Sequence, residues 1–67
     1  MEKQEILAII EQQIADHVRH NTTWKDLQGK EEFFNLLSFV FKNNMDEDDV
    51  YAIYVHLRRE KLKNHAN

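Results

Sequence analysis

Phe33-Phe34-Asn35-Leu36-Leu37-Ser38-Phe39-Val40-Phe41 holds all four phenylalanines of the chain and only two polar residues. At 100° per residue its apolar side chains occupy nearly the whole circumference of a helix. A helix that is apolar all round is one covered on all sides. The stretch is expected to be the heart of a helix over about 30–42. Its need for cover sets the question that the flanking sequence has to answer.

Upstream, Ile6, Leu7, Ile10, Ile14 and Val18 recur at helical spacing within an arc of about 120°, with His17 inside it and Ile9 off it. Glu11, Gln12, Gln13, Asp16 and Arg19 cover the remainder, so residues 2–20 read as one amphipathic helix. Asn21-Thr22-Thr23 interrupts the pattern. Thr22 or Thr23 is expected to cap a short extra turn over about 23–28, with Asp26 three residues after Thr23 resembling a capping box. Gly29 suits a left-handed terminus to that turn. Trp24 and Leu27, three apart, form a hydrophobic plug that packs into a small core.

Downstream, Asn43-Asn44-Met45-Asp46 announces a third helix over about 46–63. Asp46 is its N-cap and Asp49 the third residue after it. Val50, Ile53, Tyr54, Leu57 and the stem of Lys61 make its main apolar stripe. Tyr51, Val55 and Leu62 make a weaker one about 100° away. Asn64 to Asn67 are expected to fray. The fold expected is therefore all-α: three helices and a short extra turn, in one small domain spanning residues 1–67.

In 67 residues, with 42% hydrophobic and 31% charged, the chain has one glycine, no proline and no cysteine. Without a thiol no disulfide or thiolate metal site can support a core this small. The apolar stretch at 33–41 falls well short of the roughly 20 residues a membrane span needs. The opening Met1-Glu2-Lys3-Gln4-Glu5 lacks the basic start of a secretion signal, so a cytoplasmic location is expected. Size and acidic helical character are shared with many small bacterial and phage-encoded regulators, a likeness of composition that no motif carries.

Charge narrows the function classes. The net charge is −3. Residues 1–20 hold four acidic and two basic groups, residues 21–44 three of each, and residues 45–67 five acidic and four basic. No segment has the basic excess that phosphate neutralisation demands. The third helix opens on Asp46-Glu47-Asp48-Asp49, which would meet phosphates with the wrong sign in a helix-turn-helix. Those acids lack the glycine and the distal glutamate of a calcium loop; they complement the helix dipole, as Arg58, Arg59, Lys61 and Lys63 do at the other end. The same basic end, with His56 and His65 nearby, is the one candidate for weak nucleic-acid contact.

Other constellations are thin. Asp16, His17 and His20 give an H-x-x-H beside a carboxylate, but no third metal ligand is named. Ser38 has no adjacent base, and its hydroxyl is expected to bond to a carbonyl one turn earlier. One glycine cannot make a phosphate loop. No enzyme, metal, cofactor or small-molecule substrate is expected. What remains is surplus apolar surface, which marks a partner interface. The chain is expected to act as a protein–protein interaction module, a regulator, adaptor or inhibitor. It would be a homodimer and/or bind another cytosolic protein through the apolar faces of its second and third helices. The expected anchors are Phe34, Phe39, Phe41, Tyr51 and Val55, with Arg58 and Arg59 at the rim.

Overall fold

The computed structural model describes residues 2–65, with side chains through Lys63. Among them every regular element is helical: α1 (Lys3–Arg19), α2 (Trp24–Gln28), α3 (Glu31–Lys42) and α4 (Glu47–His65). The short extra turn is thus a helix of its own, five residues long. The other boundaries lie within one or two residues of those expected. At the C-terminal end the helix continues through His65, beyond the expected stop near Lys63; residues 66 and 67 lie outside the described residues.

Each helix start has a local cause. Thr23 Oγ1 accepts the Asp26 amide at 3.2 Å and begins α2. Asp46 caps α4 more completely. Its Oδ1 accepts the amides of Asp48 and Asp49 at 3.0 and 3.3 Å, while its own amide donates to Asp49 Oδ2 at 2.9 Å. This reciprocal pair is a capping box with aspartate in both places. Neither Glu2 nor Lys30, the caps of α1 and α3, makes a side-chain cap bond. In α3, Glu31 and Glu32 set negative charge against the first turn instead.

The helix ends correct one expectation. Gly29 has φ −85° and is not left-handed. The positive φ values fall on Asn21 (60°) and Asn44 (61°). After α1 the Thr22 amide donates to His17 O and the Asn21 amide to Val18 O. After α3 the Met45 amide donates to Val40 O and the Asn44 amide to Phe41 O. Both are Schellman endings, with asparagine in the position glycine usually fills. Met45 also packs against the core, supplying the hydrophobic contact that accompanies the motif. A β-carbon at Gly29 would meet only Asp26 O, at 3.5 Å. Gly29→Ala is therefore expected to raise stability by about 0.4–1 kcal/mol through the unfolded chain. A urea melt with an unchanged or lowered midpoint would contradict this.

The core draws on every helix. Ile6, Ile10, Ile14 and Val18 come from α1, Leu27 from α2, Phe33, Leu36 and Val40 from α3, and Val50 and Tyr54 from α4. Full burial of such side chains stabilises by roughly 1.5–3 kcal/mol each before entropy is charged against it. Among the described residues no polar or charged residue is buried. The principal extents are 38 × 26 × 16 Å. The shortest corresponds to about two layers of helix backbone at the usual 8–10 Å interaxial distance. In a body two layers deep, no helix is enclosed.

Candidate interaction surface

That thickness decides what becomes of the phenylalanine stretch. Phe33, Leu36 and Val40 point into the core. Phe34 and Phe41, seven residues apart and so nearly in line on a helix, point away from it and stay 61% and 56% exposed. Ser38 lies between them, exposed, with Leu37 half-buried alongside. Ser38 Oγ donates to Phe34 O at 3.1 Å, the backward bond expected of it. The outward strip is completed by Glu31 and Lys42, both exposed, at its two ends.

The other expected anchors scatter. Phe39 lies on the opposite flank of α3, half-buried and packed against the core. With Ile9, Leu36, Gln13, Glu32 and Asn35 it lines an open groove of about 340 Å³ between α1 and α3. Val55 on α4 is likewise half-buried against the core. Tyr51 is 47% exposed, and Arg58 and Arg59 are both exposed. Leu62, 61% exposed, belongs with them and had only its place in the weaker stripe to announce it.

Tyr51 also belongs to an aromatic corner. The Trp24 ring stands edge-on to Phe33 at 5.2 Å and to Tyr51 at 4.9 Å, and lies tilted against Tyr54 at 5.3 Å. Such contacts add about 0.5–1.5 kcal/mol beyond area burial. Trp24 and Leu27 thus fasten α2 over the junction of α3 and α4. Gln28 Nε2 donating to Glu47 Oε1 at 2.8 Å adds a polar tie at the same edge.

The polar groups that suggested chemistry each have another partner. Asp16 pairs with Arg19 at 2.6 Å, an exposed contact worth little. His20 Nδ1 meets Asp16 O at 2.7 Å. His17 Nε2 lies 3.4 Å from Glu32 Oε2 across the α1–α3 seam, an ion pair only when the ring is protonated. Among the described residues no three or more His, Cys, Asp or Glu side chains stand together as a metal site. No helix among them is long and apolar enough to cross a membrane. The His65 side chain, raised as part of the basic end of α4, lies outside the described residues.

One residue of that basic end is already occupied. Lys61 Nζ donates to Val18 O and Arg19 O at 3.0 Å each and to Asn21 Oδ1 at 2.6 Å. It caps the carbonyl end of α1, where a cation also complements the helix dipole. Tyr54 OH reinforces the same turn by donating to Thr22 O at 2.7 Å.

No family model matches the chain, and no curated protein or solved structure matches it either.

Proposed function

We propose that this chain is a small, non-enzymatic protein–protein interaction module: a cytoplasmic regulator, adaptor or inhibitor built as a three-helix bundle with α2 as its plug. The observation that carries the reading is the pair of exposed phenylalanines in line on α3. Isolated apolar side chains on a surface are ordinary, but two large aromatics a heptad apart, flanked by Leu37, make a strip of the kind partners cover. Aromatic side chains are also the usual anchors of interfaces. Tyr51 and Leu62 extend apolar exposure to α4, and Arg58 and Arg59 supply polar contacts beside them. The alternative, weak nucleic-acid contact by the end of α4, has one cation fewer at its disposal because Lys61 holds α1.

The combined variant Phe34→Glu with Phe41→Glu separates interface from core. Both side chains are exposed, so the isolated domain should keep its helical circular dichroism and lose at most about 1 kcal/mol, each substitution lying near the ±0.5 kcal/mol typical of surfaces. Proteins retained from native cytosol by the wild type, or its own self-association, should be lost. A variant that binds the same proteins and associates to the same degree as wild type would overturn the proposal.

A further inference from the structure

We propose that the outward face of α3 pairs with the same face of a second copy of this chain, the two α3 helices running antiparallel about a two-fold axis beside Leu37 and Ser38. Self-pairing rests on that face being an interface at all.

Spacing comes first. Glu31, Phe34, Ser38 and Phe41 follow one another at intervals of three, four and three residues, the spacing of a coiled-coil seam. All four are exposed. A two-fold axis between positions 37 and 38 sets Phe34 of each copy level with Phe41 of the other. The small Ser38 lies at the middle, where the helices approach most closely. Its hydroxyl already donates to Phe34 O, so covering it strands no donor.

Charge chooses the partner and the direction. Glu31 and Lys42 lie on one edge of the strip, within about 20° of each other around the helix. In the antiparallel pair Glu31 of one copy and Lys42 of the other fall on the same side, about 3 Å apart along the axis at 1.5 Å rise per residue. Two such pairs form, one at each end. A parallel pair would bring Glu31 level with Glu31, leave each Lys42 on an outer edge without an acidic partner, and align the helix dipoles unfavourably. The face is thus complementary to itself in one orientation only. Closed two-fold dimers are also the commonest oligomers, and pairing is one way for a chain this small to gain core.

Two helices of this length cover less than the roughly 1,200 Å² of a standard interface, so the dimer is a weak one, formed over about 10–500 µM. Sedimentation equilibrium across that range should show wild type passing from monomer towards dimer. Phe34→Glu with Phe41→Glu should stay monomeric, its fold checked by circular dichroism. Glu31→Lys and Lys42→Glu should each weaken the dimer about tenfold by replacing two exposed attractions with two repulsions. The double exchange Glu31→Lys with Lys42→Glu should restore it. A wild type that remains monomeric at the top concentration overturns self-pairing. The interface itself is then judged separately, by whether Phe34→Glu with Phe41→Glu loses a different protein. A dimer that survives the double glutamate variant, or that Glu31→Lys leaves unchanged, overturns the antiparallel α3 pairing.

Discussion

Phe33→Ala is expected to cost about 3–5 kcal/mol, while Phe34→Ala, one residue along, costs no more than about 0.5 kcal/mol. The two share residue type, helix and neighbourhood in sequence; only their direction from the helix axis differs. Phe33 is 2% exposed and meets the edge of the Trp24 ring, whereas Phe34 is 61% exposed. Removing the Phe33 ring opens a cavity beneath α2 and leaves Trp24 and Leu27 without their floor. A domain of this size has a total stability of only about 3–10 kcal/mol at 0.05–0.15 kcal/mol per residue. Phe33→Ala should therefore lose a third or more of that stability and unfold at a much lower urea concentration, the Trp24 emission shifting to the red there. Both variants are best melted in urea at low micromolar concentration, where association through α3 is absent. Equal losses for the two would mean that α3 does not turn Phe33 inward and Phe34 outward.

The contrast also marks how far sequence reading reached. Periodicity located α1, α3 and α4, because 3.6-residue spacing is imposed by the core each helix faces. The cap at Asp46 was legible, and that of α2 was narrowed to Thr22 or Thr23, because caps depend on side chains within three residues of the break. The terminus at Gly29 was misplaced for a physical reason. Glycine is favoured at positive φ but not confined to it, and asparagine tolerates that region well enough to end both α1 and α3. In the phenylalanine stretch the wheel gives the surplus of apolar surface but not which side is left over. That depends on where α1 and α4 cross α3, a tertiary fact. Phe39 therefore lies against α1 while Phe34 and Phe41 lie outward, although all three look alike in sequence.

The least legible residue is the one whose removal is expected to cost the most among the polar groups. Lys61 sits 40 residues from Asn21, and nothing near it in sequence names the end of α1 as its destination. Lys61→Met keeps the apolar stem and deletes the ammonium, leaving Val18 O and Arg19 O to water and the Asn21 side chain without its donor. Hydrogen bonds to charged groups contribute about 1.5–3 kcal/mol. Because the site is partly exposed and water can replace some of the bonding, the lower figure is expected: about 1.5 kcal/mol in a urea melt. Tyr54→Phe, which removes the bond to Thr22 O, should cost about 1 kcal/mol. The two side chains hold one turn, residues 18–22, from the same face of α4. Once either is gone the turn can loosen, and the other has less left to stabilise. The double variant should therefore lose less than the sum of the singles by at least about 0.5 kcal/mol. Strict additivity would show two independent contacts, and a wild-type melt for Lys61→Met would show that the turn after α1 holds without α4.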